Sequence, residues 1–192
     1  MTSLRERVNL LEQDLLAEPM RISAYHDLPF ALFQYPPEME YEMRDEMSRL
    51  GTRLENGGKG VLVISLAQLM WEAIKKTRGL DYVVRTEKQF GFHKAQMTVH
   101  NLLSKLSPFP DMLTERIAAL HPDRHIVFLT RAGAFAPALY RMSKLLDEMH
   151  GRTMVPMVLF YPGEKEGESE LRFMGIEGRE GISGYNYRVK IY

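Results

Sequence analysis

The sequence predicts an α/β fold: a single-domain three-layer sandwich on a mainly parallel sheet, with an N-terminal helix, a helical insertion and no phosphate-binding loop. Three observations lead there. Short apolar runs at 29–35, 61–64, 126–130 and 155–161 alternate with stretches of helical periodicity. The segment 126–163 reads as strand, crossover helix and strand, and two parallel strands joined in that way imply a right-handed crossover. The 192 residues suffice for one well-buried domain, whereas a second independent core would be cramped.

Taken in order, Leu4, Val8, Leu11 and Leu15 recur at four-three-four spacing, which predicts an amphipathic helix over 3–17 that ends before Pro19. It can cap the domain or meet another chain. The strand at 29–35 gives way at Pro36-Pro37 to a helix whose core side is Met43, Met47, Leu50 and Leu54, stopped by Asn56-Gly57-Gly58. A second buried strand at 61–64 leads into a helix with Leu69, Met70 and Ile74, for which Ser65 and Gln68 fit a capping box. A helical insertion over 81–121 follows, with one stripe of Ala95, Val99, Leu102, Leu103 and Leu106 and another of Leu113, Ile117 and Leu120. After the third strand, Phe135, Ala138, Leu139, Met142, Leu145, Leu146 and Met149 form a single stripe ended by Gly151. The fourth strand turns out at Tyr161-Pro162-Gly163. C-terminal strands within 164–192, at 171–174 and 187–192, then flank a Gly-rich loop. The last alternates Tyr187, Val189 and Ile191 with Arg188 and Lys190, the pattern of a half-exposed edge.

Composition removes several function classes. Lys plus Arg equals Asp plus Glu at 25 each, so no overall field steers the chain to DNA or an anionic membrane. With no cysteine there is no disulfide, thiolate metal site or thiol nucleophile, and a reducing, cytoplasmic setting suits the chain. Glu6, Glu12 and Asp14 interrupt the N-terminal leucines, so neither a signal peptide nor a membrane span is expected. Thirteen methionines suit an irregular core or a partner-binding face.

Ligands of parallel α/β sheets gather at the carboxyl ends of the strands, so each strand-to-helix junction bears on function. The first, Tyr35-Pro36-Pro37-Glu38-Met39-Glu40, has no glycine or lysine for phosphate, and its carboxylates satisfy the positive end of the helix. Capping accounts for the second. The third, Thr130-Arg131-Ala132-Gly133, is the best anion-site candidate: small residues expose backbone N–H groups and Arg131 adds a fixed cation, although a tight turn with a paired arginine would look the same. No catalytic motif and no cofactor is expected. His121 and His125 have ligand spacing, but Pro122 breaks the helix that would align them, so no metal site is expected either. Arg172, Arg179, Arg188 and Lys190, with Tyr185 and Tyr187 between them, are the nucleic-acid candidates, set against six glutamates of the same region.

The segments LPFALF (28–33), ENGGKGVLVISLAQLMWEAI (55–74), LTRAGAFAPALYRMSKLLDEMHGRTMVPMVLFYPG (129–163), LRFMG (171–175) and YRVKIY (187–192) resemble the BrxB family of bacteriophage exclusion (BREX) defence systems. The resemblance implies a setting beside an alkaline-phosphatase-like protein (PglZ), a DNA methyltransferase (PglX), a large ATPase (BrxC) and a Lon-like protein (BrxL). It carries no catalytic motif to transfer. Arg131, Gly133, Tyr140, Arg141 and Lys144 are therefore named as partner- or anion-binding candidates only. The expected role is a non-enzymatic assembly protein that docks another BREX component, PglZ first, in support of host DNA methylation, phage restriction or both. A nucleic-acid-binding subunit, touching DNA directly or through the complex, and a degenerate nucleotide-binding domain are the alternatives. The oligomeric state stays open.

Overall fold

In the computed structural model, which describes residues 3–22, 28–106, 108–136, 139–166, 170–175 and 189–192, each of the four apolar runs is a strand. They are β1 (Phe30–Tyr35), β2 (Gly60–Ser65), β3 (His125–Thr130) and β4 (Met157–Glu166), followed by β5 (Glu170–Phe173) and β6 (Lys190–Ile191). The sheet runs β2-β3-β4-β1-β6 with parallel neighbours, and β5 pairs antiparallel with the far end of β4. Parallel pairs need crossovers, and these place helices on both faces. On one face lie α1 (Leu4–Leu16) and α2 (Glu40–Asn56); on the other lie α3 (Leu66–Thr77), α5 (Phe92–Asn101), α6 (Phe109–Ile117) and α7 (Met142–Met149). Helix α4 (Leu80–Phe90) rests on α5. This is the predicted three-layer sandwich with its helical insertion.

Strand alternation divides the core in two. Ala31, Phe33 and Tyr35 of β1, with Ile126 and Phe128 of β3, face α1 and α2; Phe30, Leu32, Val127 and Leu129 face the other helices. On the α1 side Phe160 joins the strands, with Phe128 edge-on at 5.1 Å and Phe33 at 5.7 Å.

Helix α1 starts at a reciprocal cap: the Glu6 amide donates to Ser3 Oγ and the Ser3 amide donates to the Glu6 carboxylate. Its leucine stripe is buried in the domain's own core, so the helix caps the sheet. Asp14, buried on the same helix, accepts a bond from the Tyr192 hydroxyl at 2.7 Å, pairs with Lys190 and lies 3.2 Å from Arg21. Burial by itself would raise the Asp14 pKa. The bonds from Lys190 and Tyr192, with the charges of Lys190 and Arg21, outweigh that and hold it below the ordinary carboxylate value. Arg7 adds bonds to the main-chain oxygens of Gln34 at 2.7 Å and Tyr192 at 3.2 Å. First helix, first strand and last strand are thus tied together.

Three local expectations are corrected. The stripe from Phe135 to Met149 is not one helix: a 3-10 turn spans Ala132–Phe135 and α7 begins at Met142. Pro137 lacks a backbone donor and forces the residue before it out of helical geometry, and Ala136 sits accordingly at φ −64°, ψ 146°. Strand β2, read as buried, is the outer strand beside β3 and leaves Val63 59% exposed, because an apolar run does not reveal its place in a sheet. Finally, β4 continues past the expected turn and pairs with β5. Gly163 permits this, since a Cβ there would lie 2.4 Å from the Arg172 carbonyl oxygen. Strand β6 stands at the opposite edge, as the alternation predicts. The Gly-rich loop beyond Gly175, with Arg179 and Tyr185, and the start of the expected last strand, Tyr187 and Arg188, lie outside the described residues.

Candidate functional site

At the carboxyl end of β1 the chain passes Pro36 into a 3-10 turn, Pro37–Met39, and then α2. Glu40, opening that helix, accepts from the Tyr35 hydroxyl and from Arg44 Nε at 2.9 Å and Nη2 at 2.8 Å. Burial first, and then the bonded carboxylate, push the Tyr35 pKa well above the ordinary tyrosine value, so the hydroxyl stays protonated and donates. At the end of β2, Ser65 Oγ accepts from the Gln68 amide at 3.3 Å, while the Gln68 side chain turns to Glu72 instead of completing a capping box. On β4, the Gly163 carbonyl accepts from the Gln34 side-chain amide.

The end of β3 is different. Arg131 sits in the left-handed region at φ 60°, ψ 34°, a conformation that costs a non-glycine residue about 1–2 kcal/mol. Its side chain is exposed and makes no hydrogen bond or ion pair among the described residues. It borders a cavity of about 270 Å³ together with Glu40, Arg44, Met47, Ser48 and Thr130, with Val63 and Phe128 supplying apolar wall. Two guanidinium groups against one carboxylate leave the cavity positive. Glu40 is engaged by Tyr35 and Arg44, while Arg131 can hold a carboxylate or phosphate group through paired N–H donors.

The other sequence candidates do not converge on Arg131. A Cβ added to Gly133 would stand 3.3 Å from Met174 Sδ and 3.6 Å from Pro162 Cγ, so those side chains cover the turn. Tyr140 is 2% exposed in the core on the opposite face of the sheet, its ring 5.5 Å from Phe109 and its hydroxyl donating to Glu148 at 2.8 Å. Burial, followed by that bond, raises its pKa. Lys144 lies 3.6 Å from Glu148 and over the Tyr140 ring, and Arg141 is exposed with interactions of its own.

Among the nucleic-acid candidates, Lys190 pairs with Asp14, and Arg172 stands opposite Glu164 in the β4–β5 register. His125 Nδ1 accepts from the His121 amide at 3.0 Å, and no group of three or more metal-ligating side chains occurs among the described residues. No helix there is long and apolar enough to cross a membrane.

Glu40 and Arg44 are the cavity residues that sequence reasoning missed. Their i,i+4 spacing at the start of a helix was the available signal, but only the Glu40 carboxylate was read, as a group that satisfies the helix terminus.

The model of the family described as BREX protein BrxB matches residues 62–191. A BREX protein BrxB from Bacillus cereus is 25% identical over 144 residues, which is 74% of each chain. No solved structure matches. The family match begins within β2, so it takes in the Arg131 turn and the helical insertion, while Glu40 and Arg44 precede it. With the match extending over more than half its length, the chain belongs to the BrxB family of BREX phage-defence systems.

Proposed function

We propose that this chain is a non-enzymatic assembly component of its BREX system, docking another component, PglZ in first place, to support host DNA methylation, phage restriction or both. One observation carries the reading. The rim of the sheet where an α/β enzyme would keep its reacting groups is occupied by internal contacts: Glu40 with Tyr35 and Arg44, Ser65 with Gln68, Gly163 with Gln34, and Gly133 beneath Met174 and Pro162. In this reading the Arg131 cavity receives an acidic group of the docked component.

The test is retrieval of the tagged chain from cells carrying the intact operon, with every retained protein identified. PglZ is expected in the retained fraction, and Arg131→Glu is expected to lower its amount severalfold at low salt. Retrieval of no BREX component would end the reading. So would hydrolysis of ATP or cleavage of DNA by the purified chain. Steeply salt-dependent retention on DNA would replace docking with nucleic-acid binding.

A further inference from the structure

Eleven large apolar side chains are exposed among the described residues, and six of them lie between Leu80 and Leu106. Helix α4 packs chiefly on α5, touching the edge of the core through the partly buried Val83, and the one residue it buries is Thr86. Leu80 and Val84 face solvent one helical turn apart, and Phe90 and Phe92, on either side of Gly91 in the turn to α5, are 61% and 62% exposed. An eleven-residue helix is too short to owe its stability in water to its backbone alone, and an apolar face on it needs cover. The charge of this region also stands apart. From Lys75 to Lys105 there are seven Lys or Arg residues against Asp81 and Glu87, a local surplus of five in a chain whose total charge is zero. All seven are exposed, and none forms a salt bridge among the described residues.

We infer that the α4–α5 hairpin is a docking arm for a second protein, inserting Phe90 and Phe92 into an apolar groove bordered by Asp and Glu. The occupant follows from the chemistry. A two-fold pairing of arm on arm between two copies of this chain would bring two surfaces of the same positive sign together. Nucleic acid would satisfy the lysines but offers nothing to Leu80 and Val84, which a protein groove buries. An acidic rim and apolar centre satisfy both, with the phenylalanines as anchors and the cations steering approach. The inference rests on the docking reading above but assigns a surface separate from the Arg131 cavity.

The same retrieval from operon-bearing cells tests it with two double variants, Phe90→Ser with Phe92→Ser and Lys88→Glu with Lys94→Glu. Met154→Ser, another exposed apolar position, is the control, and thermal melting confirms that each variant folds. Loss of the aromatic pair is expected to cut the retained BREX component at least tenfold at any salt concentration. Charge reversal is expected to cut it severalfold at low salt and little at high salt, where screening removes its part. Carbodiimide, which joins lysine to carboxylate directly, is expected to link Lys88 or Lys94 to an Asp or Glu of that component. Wild-type retention by both double variants would overturn the inference and leave the docking reading standing; a wild-type chain that retains no component would overturn both. Release of the component by nuclease, or retrieval of further copies of the chain in its place, would overturn the assignment of the occupant.

Discussion

Helix α1 buries Leu4, Val8, Leu11 and Leu15 under the sheet and is fixed by Asp14 to Lys190, Arg21 and Tyr192, whereas α4 buries Thr86 and leaves Leu80 and Val84 in water. Both helices lie outside the strand-helix-strand frame. What separates them is whether a second element supplies both an apolar wall and a polar lock. For α1, Phe33 and Tyr35 of β1 provide the wall and the 190–192 stretch the lock. For α4, only α5 and the edge of the core at Val83 supply a wall, and its basic residues form no salt bridge among the described residues. An apolar stripe therefore reports that burial is needed without saying which chain provides it.

Three substitutions sharpen the contrast. Leu11→Ala, at a fully buried position on α1, is expected to lower unfolding free energy by about 2–5 kcal/mol in urea denaturation, from lost transfer energy and the cavity left behind. An effect below that range would place α1 among peripheral elements. Next in size, Asp14→Asn removes the negative charge and one of the two acceptor oxygens of the lock and is expected to cost about 1–3 kcal/mol near neutral pH. Because the folded-state pKa of Asp14 lies below its unfolded value, its contribution is fully present above about pH 4 and fades as pH falls through the folded value. The wild-type urea midpoint should consequently drop more steeply with acidification than that of the variant; matching acid limbs would remove Asp14 from the lock. Smallest of all, Val84→Ala on α4 is expected to shift stability by less than about 0.5 kcal/mol. A loss of several kcal/mol would mean that α4 is integral to the core.

Much of the frame was legible because burial on both faces of a parallel sheet writes itself as apolar runs such as Val127-Phe128-Leu129, and because Leu4, Val8, Leu11 and Leu15 keep strict helical spacing. Strand order was not legible. The runs 61–64 and 126–130 look alike, yet one is an outer strand that exposes Val63 and the other is central. The site was legible only at Arg131, where a residue type and a turn coincide. Its neighbours Glu40 and Arg44 arrive from a helix some ninety positions earlier, by the β1–α2–β2 crossover, and a linear pattern has no means of announcing that meeting. Tyr140 shows the converse error: an aromatic beside two basic residues resembles an interface anchor, but its ring completes a cluster with Phe109 and Phe135.

The parallel pairing of β1 with β6 joins Ala31 and Leu32 to Lys190 and Ile191, the longest loop closure in the sheet. As the polypeptide leaves the ribosome, β1 emerges some 160 residues before the strand that pairs with its outer flank. Completion of the sheet therefore waits on the synthesis of residues 190–191, and the interval is one in which that bare flank is open to mispairing with other nascent chains.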